Sequence, residues 1–281
     1  MTRKFSTLLL AASASVFLVA CSGSETSLES KAADAPIDTL SAEALEQKAA
    51  EAANQGSAVN APFNAFLAKY VVQKDGINLI AYGKVSDADE AKLEAYIDVL
   101  SKTDISGFSD DEIKAYWFNL YNAKTVDLIL DHYPTKSIRD IKRPWKAKRL
   151  TVNGKEMSLN DIEHATVRKQ YDEPRVHFAF NCASIGCPNV KATAWEADTL
   201  EADLTQSSID YVASPRGITV DENGKIIASE IFKWYRGDFG KNEKEVLTYL
   251  SQFATGRTKA TMESATKVDK YIYDWSLNVA E

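Results

Sequence analysis

Two cysteines lie five residues apart in the stretch His177-Phe178-Ala179-Phe180-Asn181-Cys182-Ala183-Ser184-Ile185-Gly186-Cys187-Pro188. The same stretch holds one of the chain's three histidines. It reads as a buried strand, His177 to Cys182, running into a turn closed by Gly186 and Pro188. A strand that ends in Asn-Cys and then breaks presents a thiol at a sheet rim, a place suited to nucleophilic chemistry. If His177 and Cys182 share one strand, they sit about 17 Å apart on opposite faces, so His177 is a poor base for that sulfur. His164, from a different element and next to Glu163, is the better geometric partner. On a regular helix, however, adjacent side chains diverge by roughly 100°. Glu163 and His164 therefore face one ligand only if that helix is irregular, and taken alone the pair reads as solvent-facing surface.

The elements that must position these groups follow from periodicity. Pro62 to Val72 predicts a short helix opened by Asn60, with Phe63, Phe66, Leu67 and Tyr70 on its core face. Gly76 to Tyr82 reads as extended, and Asp87 to Ser101 as an amphipathic helix. Ser109 and Glu112 form a capping box before a helix that is apolar on nearly every face from Ile113 to Leu130, the pattern of a buried central helix. Within it Asn119 and Asn122 share a side, one turn after Tyr116. Buried amides need partners, so these three either bond neighbouring backbone or line a polar, substrate-binding site. Asn153-Gly154 predicts a hairpin over Leu150 to Met157. Ser158 opens the helix that carries Glu163 and His164.

Further on, Thr199 to Tyr211 and Glu243 to Phe253 read as helices, and Gly217 to Ala228 as a second hairpin. Ser229 caps Glu230 to Tyr235, with Phe232, Trp234 and Tyr235 available for core. Tyr271 to Leu277 reads as a closing strand. Helices and short strands mix without a βαβ rhythm, which predicts an α+β fold with a small antiparallel or mixed sheet against the central helix.

The N-terminal sequence bears on compartment. A basic start, an apolar run from Leu8 to Ala20 and Leu18-Val19-Ala20-Cys21 read as a secretory signal peptide over residues 1–20. Its end resembles a lipobox, in which Cys21 takes a lipid, and Ser22 fits passage to the outer membrane. Residues 21–58 read as a flexible tether and 59–281 as one globular domain. Loss of Arg3 and Lys4 with the leader moves the formal charge from −7 to −9. With no basic patch of interleaved aromatics, a nucleic-acid partner is not expected.

Several segments resemble, in order, the bacterial and plant family known as domain of unknown function 547, over about residues 62–255. They are Gly76 to Tyr82, Tyr116 to Ala123, Tyr133 to Ile141, Ser158 to His164, His177 to Pro188 and Ser229 to Tyr235. The resemblance brings no agreed reaction. It emphasises Asn119, Asn122, Glu163, His164, His177, Cys182 and Cys187, all present here.

Thiol, imidazole and carboxylate are the parts of a cysteine hydrolase or acyltransferase acting on an amide or ester. In that reading Cys182 or Cys187 is the nucleophile, His164 or His177 the base, Glu163 the orienting group, and Asn119, Asn122 and Tyr116 contact substrate. Histidine before cysteine in the chain would make this a permuted relative of papain-like enzymes, by analogy only. The competing reading is a non-catalytic envelope binding or scaffold module. There Cys182 and Cys187 form a structural disulfide, the usual state of paired cysteines beyond the cytoplasm, worth about 2 kcal/mol for so short a loop. A zinc site is a lesser alternative, and no metal or cofactor is expected. The expected partners are the membrane, through the lipid on Cys21, and an envelope peptide, protein or peptidoglycan.

Overall fold

The computed structural model describes residues 41–281 apart from Gln55. The signal peptide, Cys21 and the first part of the tether lie outside the described residues. The fold is α+β, a helical body that carries three small separate sheets among the described residues.

Helix α4 (Asp110–Leu130) is the axis of the molecule. Ser109 accepts from the Glu112 N–H and the Glu112 carboxylate accepts from the Ser109 N–H, so the capping box is complete. Downstream of it, Trp117, Phe118, Leu120, Tyr121, Leu128 and Ile129 are all buried. Packed around α4 are α2 (Ala61–Tyr70), α3 (Asp87–Lys102) and the hairpin of β3 (Leu150–Val152) with β4 (Lys155–Met157). A second hairpin, β1 (Val71–Lys74) with β2 (Ile77–Ile80), follows α2 directly.

The second half builds its own cluster. Helix α6 (Leu200–Ala213) leads to β5 (Ile218–Val220) and β6 (Ile226–Ser229), an antiparallel pair. Strand β7 (Lys270–Ile272) adds to β6 in parallel, so this sheet is mixed. Short helices α7 (Ile231–Trp234) and α8 (Arg236–Phe239) follow β6, and α9 (Glu243–Ser251) and α10 (Gly256–Ser264) close around Phe178, Phe232 and Phe239.

Three elements differ from the sequence reading. Helix α1 (Ala42–Ala53) falls in the stretch read as tether, where Thr39 to Ala53 offers a transient helix with little apolar face to bury. It instead packs on α2 with its small Ala49 and Ala52 buried, side chains that carry little hydropathy signal. His177 to Cys182 is no strand: Pro174–Phe178 is a 3₁₀ helix, and irregular chain follows to Cys187. The reason is that Phe178 belongs to one hydrophobic cluster and Phe180 to the other, so this segment stitches two cores together. Of the closing strand, only Lys270–Ile272 pairs in the sheet; residues 274–278 instead bond the backbone of the cysteine loop. Among the described residues no helix is long and apolar enough to cross a membrane.

Asn119 acts as a strut. Its amide nitrogen donates to the Trp195 carbonyl (2.8 Å) and its oxygen accepts from the Trp195 N–H (2.8 Å), fully buried. Asn119→Ala leaves both backbone groups unpaired and should cost roughly 2–4 kcal/mol in equilibrium urea unfolding. A loss below about 0.5 kcal/mol would contradict the strut role.

Candidate functional site

A cavity of about 230 Å³ opens where the two clusters meet. Its polar wall is Asn160, Glu163, His164, His177, Cys182 and Cys187. Most of the rest is aromatic: Tyr121, Trp145, Phe180, Trp234, Tyr235, Tyr273 and Trp275.

Glu163 and His164 both reach this wall because Asp161–Val167 is a π-helix, finished by one α-turn, α5 (Arg168–Gln170). The wider i→i+5 turn narrows the angle between neighbours to roughly 80°, enough to bring both side chains to one face. His164 Nδ1 lies 3.7 Å from Glu163 Oε1. Glu163 is buried and accepts from the Tyr121 hydroxyl (3.3 Å), and its charge also acts on the Tyr235 phenol. Burial, followed by the Glu163 charge, raises both phenols, so they stay protonated donors.

Behind the wall runs a chain of charged groups. Arg168 grips Asp238 with two N–H groups (2.6 and 2.9 Å) and donates a third to His164 Nδ1 (2.9 Å). A guanidinium only donates, so His164 Nδ1 accepts and a neutral ring keeps its proton on Nε2. His177 Nε2 donates to Asp238 Oδ2 (2.6 Å), which leaves a neutral His177 with its lone pair on Nδ1. His177 stacks on Tyr235 at 4.1 Å between ring centroids. Partial burial acts to raise the Asp238 carboxyl, but the hydrogen bonds and charges of His177 and Arg168 outweigh it and hold it well below the usual carboxylate range.

Cys182 and Cys187 form a disulfide, with Cα atoms 6.2 Å apart. A disulfide sulfur has no proton to give, so at Cys182 Sγ it is Tyr273 (3.0 Å) and Ser184 (3.1 Å) that can donate. The loop is held from several sides. The Asn181 amide donates to the Pro188 carbonyl (2.7 Å), and Arg216 donates to the carbonyls of Ile185 (3.1 Å) and Cys187 (2.8 Å). Gly186 is needed by close approach: a Cβ there would lie 2.8 Å from the Asp274 nitrogen.

The structure thus brings Glu163, His164, His177, Cys182 and Cys187 to one cavity and leaves the other three elsewhere. Asn119 bonds Trp195 as described. Asn122 donates to the Ala179 carbonyl (2.9 Å) and accepts from the Asn181 N–H (2.9 Å). Tyr116 donates to the Leu100 carbonyl (2.9 Å). Their polar atoms are spent on backbone, and none of the three lines this cavity; Asn122 instead positions the cysteine loop. Sequence reasoning missed Arg168, Asp238, Tyr273 and Trp275. Arg168 carried a faint signal, standing four residues after His164; Asp238 and Tyr273 come from distant elements and carried none. Among the described residues no group of three or more His, Cys, Asp or Glu side chains is arranged to hold a metal ion.

The class is therefore an α+β protein with a preformed aromatic cavity, walled on one side by a disulfide and two imidazoles. Residues 105–212 match the model of the family described as "Protein of unknown function, DUF547", which supports the resemblance seen in the sequence. The matched stretch carries α4, the π-helix and the disulfide loop, whereas Trp234, Tyr235, Asp238, Tyr273 and Trp275 lie beyond it. No curated protein and no solved structure matches the chain.

Burial pushes the His177 imidazole below the ordinary histidine pKa, and the Asp238 contact only partly offsets it. The unfolded chain then takes up this proton at a higher pH than the folded one. Stability should fall as pH drops below about 6.5 and level off once folded His177 is protonated. Urea midpoints at about pH 7.5 and about pH 5.5 should show that loss in the native protein and much less of it in His177→Gln. An equal pH response in both proteins would contradict the assignment to His177.

Proposed function

We propose that this protein is a non-catalytic ligand-binding module of the bacterial envelope, held by a lipid on Cys21 at the outer membrane and facing the periplasm. The observation that carries the reading is that both cysteines of the pocket wall are spent on each other. No thiolate is then available for attack, and the loop's role is to hold Tyr273 and its neighbours in place. A preformed, mostly apolar cavity with a few convergent polar groups is the ordinary form of a small-ligand site. A membership of the whole chain in the matched family is part of the same proposal.

A second reading keeps one specific support. Sulfur and imidazole line the same cavity, so reduction would place a Cys182 thiol beside the Tyr273 and Ser184 hydroxyls, in a cavity that His164 and His177 also line. In that reading the protein is a lipid-anchored cysteine hydrolase or acyltransferase acting on an amide or ester of an envelope peptide or of peptidoglycan.

Iodoacetamide separates the two. On intact mass, the native protein purified without reductant should gain no carbamidomethyl group on Cys182 or Cys187, and two after reduction. Rapid labelling of one of them before reduction, slowed in His164→Ala, would overturn the binding-module reading in favour of the thiol enzyme. Anchoring has its own test: Cys21→Ser should move the protein from the membrane fraction to the soluble periplasmic fraction, and an unchanged distribution would refute the lipid anchor.

A further inference from the structure

We propose that the cavity takes an organic monocation with an apolar skin, of the quaternary or methylated ammonium class. This names the ligand class of the pocket and so rests on the binding-module reading.

The charge of the lining is the first ground. Among the described side chains that wall the cavity, Glu163 alone is an acid, and none is Lys or Arg. Glu163 is 7 % exposed and accepts from the Tyr121 hydroxyl, with the Tyr235 phenol nearby, and among the described residues no Lys or Arg forms an ion pair with it. The Arg168 guanidinium, which feels the Glu163 charge, has its N–H groups committed: two hold Asp238 and another holds His164. The fixed charges of Glu163, Arg168 and Asp238 sum to one net negative charge. A buried carboxylate without a counter-charge is costly, and a ligand that brings one positive charge removes that cost.

The aromatic mouth is the second ground. Trp234, Trp275 and Tyr273 form a continuous cluster, with centroids 5.5 Å apart for the two tryptophans, 4.5 Å for Tyr273 and Trp275, and 4.8 Å for Trp234 and Tyr273. Trp145 joins through Trp275 at 5.8 Å. Trp234 is 45 % exposed, a large apolar surface kept at an opening rather than in a core. Indole and phenol faces attract cations, most strongly when water is excluded. The rim already does so once, since the Arg139 guanidinium sits 5.1 Å from the Trp275 ring. Aromatic rings and one carboxylate lining the same cavity suit a positive charge spread over methyl groups. A bare ammonium would find too few acceptors to replace its water.

Tryptophan fluorescence of the full mature protein provides the measurement, with choline and tetramethylammonium as probes. The control is choline's uncharged isostere, in which carbon replaces the quaternary nitrogen. Both cations should bind saturably, with the isostere roughly tenfold weaker. Glu163→Gln should erase the preference for charge. Trp234→Ala, at an exposed position that does not threaten folding, should weaken both cations severalfold. Equal affinity for choline and isostere, a charge preference that survives in Glu163→Gln, or no binding of either cation would each overturn the proposal. Failure here is separable from failure of the binding-module reading, because iodoacetamide labelling reports on the cysteines whether or not any cation binds.

Discussion

The seam between the cysteine loop and the C-terminal segment is the constraint on which the rest depends. Ile185 donates to the Ser276 carbonyl (2.8 Å), Gly186 to that of Asp274 (2.8 Å), and Asn278 to that of Ala183 (3.1 Å). These are backbone bonds between segments some ninety residues apart in sequence. Irregular chain buried between two cores must satisfy its amides somewhere, and here each side satisfies the other. The consequence is positional. Residues 273 and 275 alternate with the bonded positions, so Tyr273 and Trp275 project toward the cavity and the disulfide. Without the seam the cavity would lose one wall, and Cys182 would lose the Tyr273 hydroxyl that meets its sulfur.

A second set of constraints comes from buried amides. Asn122 ties α4 to both Ala179 and Asn181, and Asn181 in turn spans its own loop to Pro188. Asn119 does the same for Trp195. In each case a side-chain amide stands in for the ladder partner that a sheet would have provided. That substitution is why a stretch as apolar as His177 to Phe180 can be buried without being a strand.

What could be read from the sequence was whatever is encoded locally. The capping box at Ser109 and Glu112, the all-round apolar face of α4 and the Asn153-Gly154 hairpin are short-range signals, and they reappear in the structure. The α+β class followed from the same signals. Two kinds of feature stayed hidden. Glu163 and His164 share a wall through the π-helix of Asp161–Val167, an irregularity that the apolar periodicity of the sequence does not mark. Trp234 and Tyr235 were legible as aromatic but not as pocket-facing, because whether a ring meets core or opening depends on segments far away in sequence.

The electrostatics behind the wall bear on how the two imidazoles can act. In a nucleophile–histidine–acid arrangement, the acid accepts from one ring nitrogen so that the other is left free to take a proton. At His164 the neighbour is a donor instead. Arg168 occupies Nδ1, and a neutral ring therefore turns an N–H outward, suited to donating to a ligand rather than to drawing a proton from sulfur. His177 has the carboxylate partner that a base requires, yet it is buried against Tyr235 and Phe239, and its proton affinity is lowered by that burial. The two rings are thus held by the same Arg168–Asp238 pair in opposite senses. One is fixed as a donor at the cavity wall, and the other serves as a neutral strut beneath it.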